Sequence, residues 1–108
     1  MRRAHSVSLR QIVVGDALLD ADTFSVVEGP RSVVLPRKEF MVLFKLCASP
    51  GRIFTRQEIM EDIWGADAES GERTVDAHIK KLRRRFEGSA SLRIETVRGV
   101  GYKVDVRK

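Results

Sequence analysis

Between Gln11 and Leu35 the apolar residues come in short, β-branched runs: Ile12 to Val14, Leu18 to Leu19, Phe24 to Glu28 and Ser32 to Leu35. Gly15-Asp16, Asp20-Ala21-Asp22 and Gly29-Pro30-Arg31 separate them. Runs this short, bounded by turn formers, predict a small antiparallel sheet of four strands. Its clearest hairpin lies at Glu28-Gly29-Pro30-Arg31, between two Val-Val pairs.

The period then lengthens. Phe40, Leu43, Phe44 and Cys47 recur at helical spacing, with Pro36 suited to the first turn and Pro50-Gly51 closing the segment. A second helix is expected to open at Thr55-Arg56-Gln57-Glu58, where Thr55 can cap a backbone N–H while Glu58 reaches back. Ile59, Met60 and Ile63 form its apolar face, and Trp64-Gly65 mark its end. The small, acidic stretch Gly65 to Gly71 reads as a loop. A third helix is predicted from about Glu72 to Phe86. Val75, Ile79, Leu82 and Phe86 form one narrow stripe, with Arg73, Ala77, Lys80, Lys81 and Arg84 opposite and His78, Arg83 and Arg85 on the flanks. Strand-like runs Leu92 to Arg98 and Tyr102 to Val106, joined by Gly99-Val100-Gly101, predict a terminal hairpin. Residues 1–10 read as a linker or tail, and residues 11–108 as one domain of α+β class: a four-stranded antiparallel sheet, three helices and a β-hairpin.

Charge sharpens this outline. The 108 residues carry 20 Lys and Arg against 15 Asp and Glu, a net charge of +5. Segment 73–85 holds Arg73, Lys80, Lys81, Arg83, Arg84 and Arg85 against Asp76 alone, so this one segment carries an excess equal to that of the whole chain. Most charge runs are merely solvated helix faces. A soluble face, however, usually interleaves acids with its bases four residues apart, and no acid follows Asp76 here. A basic helix with small Ala77 on its outer side can approach base edges in a major groove, while Lys and Arg bond guanine or phosphate oxygens. Arg98, beside a glycine tip, suits a narrow minor groove. Alone it could be an ordinary turn arginine, but a basic helix followed by a basic hairpin is what a helix-turn-helix with a wing requires.

Other chemistries fit less well. No apolar run approaches the roughly 20 residues of a spanning helix. Arg2 and Arg3 are not followed by a leader's apolar core, since Gly15 and Asp16 interrupt the run at Ile12 to Val14. A cytoplasmic protein without membrane contact is expected. His5 and His78 with one cysteine make no metal-ligand set, and no nucleophile and base stand at workable spacing, so neither a cofactor nor catalysis is expected. Cys47, among Phe40, Leu43, Phe44 and Leu46, reads as a small buried hydrophobe. RNA is an alternative partner, but an A-form major groove excludes a helix, and 6% aromatic residues offer few stacking platforms. A protein-interaction module is another; it would show an apolar patch on the third helix, which this sequence lacks.

Two segments carry a family resemblance. Glu72-Arg73-Thr74-Val75-Asp76-Ala77-His78-Ile79-Lys80-Lys81-Leu82-Arg83 and Thr96-Val97-Arg98-Gly99-Val100-Gly101-Tyr102 resemble the signature of the OmpR/PhoB response regulators. Leu35 with Glu39-Phe40, Pro50-Gly51 with Arg56, and Trp64-Gly65 fall in the same order, so the resemblance covers about residues 11–106. It implies a winged-helix output domain of a two-component system that regulates transcription on double-stranded DNA. It places Arg73, Thr74, His78, Lys80, Lys81, Arg83 and Arg84 at the DNA, beside the small Ala77 read above, with Arg98 in the minor groove and Arg56, Trp64 and Thr96 near phosphates. It further implies direct-repeat half-sites, a homodimer on DNA, an N-terminal receiver addressed by a sensor kinase, and RNA polymerase meeting the acids Asp67, Glu69 and Glu72. The receiver is expected to be missing from this segment. Two positions depart from the family's habit. Lys81 stands where several relatives have arginine and lacks the planar fork that matches guanine. Pro36 stands where many have a capping threonine.

Overall fold

A computed structural model describes residues 10–65, 72–89 and 91–105. Four strands open the domain: β1 (Gln11–Val14), β2 (Ala17–Asp20), β3 (Ser25–Glu28) and β4 (Arg31–Val34). They form one antiparallel sheet in chain order. The register puts Ile12, Leu19, Val26 and Val33 in a row across all four strands, and strand alternation sends that row to one face. Leu19 and Val26 in its middle are fully buried, while Val13 and Val34 stay exposed. The β3–β4 hairpin turns on Gly29-Pro30, as its sequence predicts, with Glu28 opposite Arg31. Phe24 bends the chain before β3 at φ 55, and its carbonyl accepts from the Leu35 amide at 2.8 Å.

Helix α1 (Arg37–Ala48) buries Phe40, Val42, Leu43, Leu46 and Cys47. Pro36 occupies its N-cap without a side-chain bond, so the helix start rests on proline's fixed φ. Thr55 and Glu58 close the expected capping box at the start of α2 (Arg56–Ile63): the Glu58 amide donates to Thr55 Oγ1 at 3.0 Å and the Thr55 amide to Glu58 Oε1 at 2.8 Å. The Thr55 amide's bond, and next the Arg52 charge, hold the Glu58 carboxyl below its ordinary pKa. Helix α3 (Glu72–Arg85) buries Val75, Ile79 and Leu82, continued by Phe86, the stripe its spacing predicts. The hairpin follows as β6 (Arg93–Val97) and β7 (Gly101–Asp105).

One element goes beyond the sequence expectation. Phe54 and Thr55 form a two-residue strand, β5 (Phe54–Thr55), and the terminal sheet runs β5, β7, β6, making the hairpin three-stranded. Thr55 therefore pairs with Gly101 while capping α2, and the wing is fastened to the start of the helix-turn-helix. Gly101 permits the approach: a Cβ there would lie 1.9 Å from the Phe54 carbonyl oxygen. No helix among the described residues is long and apolar enough to cross a membrane.

Candidate nucleic-acid interface

The core stripe of α3 fixes the opposite side by elimination. Arg73, Ala77, Lys80, Lys81 and Arg84 are all exposed, and together they make a cationic ridge with a small residue in it. Thr74 and His78 lie half-buried on one shoulder. His78 Nδ1 donates to the Thr74 carbonyl at 2.8 Å, one turn back. Its ring meets the half-buried Trp64 edge-on, with centroids 5.1 Å apart. Lys38 Nζ sits 5.4 Å over the Trp64 ring, so α1, the end of α2 and α3 converge on that indole.

The other shoulder faces the wing. Arg56 Nε donates to Asp76 Oδ1 at 2.7 Å, and the Tyr102 hydroxyl donates to the same oxygen at 2.6 Å. Burial acts to raise the Asp76 pKa, but the Tyr102 and Arg56 hydrogen bonds and the Arg56 charge outweigh it, so the carboxyl lies below its ordinary value. The Asp76 hydrogen bond likewise raises the already high Arg56 pKa. Burial, and next the Asp76 bond, raise that of Tyr102. Arg83 reaches the wing from α3, donating through Nε to the Ile94 carbonyl at 3.2 Å and through Nη2 to Thr96 Oγ1 at 2.5 Å. The guanidinium carbons of Arg56 and Arg83 lie 5.7 and 5.8 Å from the Tyr102 ring centre.

The residues expected at DNA thus gather on and beside α3: the exposed ridge, Arg56, Arg83 and Thr96 along the seam with the wing, and Trp64 against His78 on the other shoulder, while Arg98 is exposed in the wing turn. Gly99 in that turn has φ +76 and open space around it. The structure also adds what the sequence pattern hides. Arg56 is paired with Asp76, Tyr102 ties wing to helix, and Arg85, read above on the helix's flank and counted in its positive charge, turns inward to pair with Glu39 on α1. These contacts join positions 20, 26 and 46 residues apart, beyond the reach of any local motif. Asp67 and Glu69 lie outside the described residues, and of Glu72 only the backbone is described. Among the described residues no cluster of His, Cys, Asp or Glu could hold a metal ion.

Comparison with known proteins gives the surface a context. The family described as transcriptional regulatory protein, C terminal, matches residues 30–104. A Staphylococcus aureus protein described as heme response regulator HssR is 46% identical over 106 residues, covering 97% of this chain and 47% of that protein. The chain thus spans about half the length of that relative. The Klebsiella pneumoniae RstA DNA-binding domain, solved in complex with its RstA box, superposes with a TM-score of 0.75 at 29% identity, over 88% of this chain and 96% of that one. The Thermotoga maritima response regulator DrrB, described as an OmpR/PhoB homolog, gives a TM-score of 0.72 at 31% identity, over 88% of this chain and 44% of that one.

Proposed function

Because the chain belongs to the transcriptional regulatory protein C-terminal family, of OmpR/PhoB type, we propose that it binds double-stranded DNA sequence-specifically, with α3 in the major groove and Arg98 in the adjacent minor groove. The observation that carries the reading is the exposed ridge Arg73, Ala77, Lys80, Lys81 and Arg84, opposite a fully buried core stripe. Four cations on one helix face give a field that points outward, and Ala77 leaves room for close approach to base edges. The relative RstA, whose DNA-binding domain was solved with its box, supports the same use of the fold.

In this reading the domain is the output half of a two-component regulator. A receiver half, addressed by a sensor kinase, supplies the signal, and two copies pair on direct-repeat half-sites about one helical turn apart. Arg56, Trp64, Arg83 and Thr96 border the groove-facing ridge and hold phosphates, while Thr74, His78, Lys80, Lys81 and Arg84 face bases or the adjoining backbone. Asp67, Glu69 and Glu72 are too acidic to face DNA, and they meet RNA polymerase. Selection of bound sequences from random duplexes tests the core of this proposal. A preferred site is expected, bound more tightly as two direct half-sites than as one. Equal recovery of all sequences, or preference for single-stranded RNA, contradicts it.

A further inference from the structure

Glu39 is 2% exposed and lies in the first turn of α1, far from the ridge in sequence. Its Oε2 accepts from Nε of Arg85, the last residue of α3. A carboxylate buried this deeply needs its partner, because removing the cation leaves an uncompensated charge out of water. Arg85 is held twice. Arg31, the first residue of β4, donates from Nη2 to the Arg85 carbonyl and lays its guanidinium 5.8 Å from the Phe86 ring centre. The end of α3 is therefore gripped by α1 and by the β3–β4 hairpin, neither of which belongs to the proposed DNA surface.

At 3.6 residues per turn, Arg85 falls on the same shoulder of α3 as Thr74 and His78, four residues after Lys81. Asp76 and Arg83 lie on the opposite shoulder, held by Arg56, Tyr102 and the wing. The buried stripe sets which side of α3 faces outward, and the polar bonds on both shoulders add directional restraints against smaller rotations of the helix about its own axis. We propose that Arg85 is a positioning residue for DNA reading and not a DNA ligand: its pair with Glu39, steadied by Arg31, sets the rotation at which α3 presents Lys80, Lys81 and Arg84. This rests on the reading that α3 enters the major groove.

The test compares wild type, Glu39→Gln, Arg85→Gln, Arg85→Lys and the double variant Glu39→Gln/Arg85→Gln on the selected duplex and all its single-base variants, at several salt concentrations, with thermal unfolding alongside. Glu39→Gln removes no cation and touches no DNA, yet it should lower discrimination at the positions α3 reads by about fivefold or more. Arg85→Gln should do the same while leaving the slope of log K against log salt unchanged, since a positioning arginine releases no counterion. Arg85→Lys should not restore discrimination. The double variant leaves no buried charge and should recover thermal stability while discrimination stays low, which separates positioning from mere folding. A slope reduced by about one in Arg85→Gln, with Glu39→Gln reading bases like wild type, would make Arg85 a phosphate ligand and overturn the proposal. Lower melting temperatures with an intact base profile in every variant would overturn it equally. A wild-type domain that distinguishes no duplex fails at the proposed function itself, before any variant is compared.

Discussion

The Tyr102 hydroxyl, on the wing, donates to Asp76 Oδ1, on α3, at 2.6 Å, and the same oxygen takes Arg56 Nε from α2. One carboxylate thereby joins all three parts of the winged helix-turn-helix. Tyr102→Phe keeps the ring and removes only the wing's bond, so it should cost about 1 kcal/mol of stability in denaturant unfolding. Its effect on DNA should fall on the contacts made by the wing, leaving α3 to read as before. A loss of base preference at α3 positions in Tyr102→Phe would show that the tyrosine does more than fasten the wing.

The same carboxylate sets a pH dependence. Its folded pKa lies below the ordinary value, so its contribution is fully present above the unfolded pKa of about 3.9 and is lost as pH falls through the lower folded value. Asp76→Asn should therefore flatten the acid limb of a stability-against-pH curve below about pH 4 and leave its shape between pH 6 and 8 unchanged. An unaltered acid limb would mean that the Arg56 and Tyr102 bonds do not persist in solution.

The two glycines of the wing should fail differently. At Gly101 a methyl group would sit 1.9 Å from the Phe54 carbonyl oxygen and 2.8 Å from Thr55 Cα, so Gly101→Ala must open the pairing with Phe54–Thr55. A loss of about 3 kcal/mol or more is expected in unfolding measurements. Gly99 has open space but φ +76, so Gly99→Ala should cost only about 1–2 kcal/mol, the strain of a left-handed residue. Equal costs would contradict the close packing at Gly101.

Burial pushes the Cys47 thiol from an ordinary 9.0 up to about 12. Below pH 9 the thiolate fraction in the folded chain is then roughly 1000-fold lower than in the unfolded chain, before any shielding is counted. Alkylation at pH 8 should therefore follow unfolding and speed up with denaturant across the unfolding transition. Rapid modification of the native domain would place Cys47 at the surface.

Much of this was legible in the residues because the local signals agreed with one another. Gly29-Pro30 between two Val-Val pairs, Thr55 with Glu58, and Val75, Ile79 and Leu82 each specify a local structure within a few residues, and each forms where the pattern puts it. The strand at Phe54–Thr55 was not legible, since two residues cannot display an alternation and Thr55 already had a reading as a cap. Arg85 and Arg84 are adjacent arginines in one basic run, yet among the described residues only Arg85 finds a buried carboxylate, 46 residues back. Charge counting along a helix cannot separate the two, because a partner on another element decides which cation remains for a ligand.

Reading and holding should be separable on the ridge. If Lys81 touches a base edge, Lys81→Ala should cost roughly 1–3 kcal/mol on the preferred site and relax preference at one base-pair step. Arg98→Ala should lose affinity mainly on A·T-rich flanks, whose narrow minor groove attracts arginine. Titration against every single-base variant of the selected site checks both. A uniform loss in Lys81→Ala would make Lys81 a phosphate clamp and move base reading to His78 or Arg84.

The central claim is that the α3 ridge and Arg98 meet the backbone and grooves of a DNA duplex, and the salt dependence of binding tests it most directly. With roughly five or more phosphates neutralised, log K for a duplex carrying the selected site should fall against log salt with a slope of about −4 or steeper. A flat response, or equal binding to a single strand of the same length, would contradict the account.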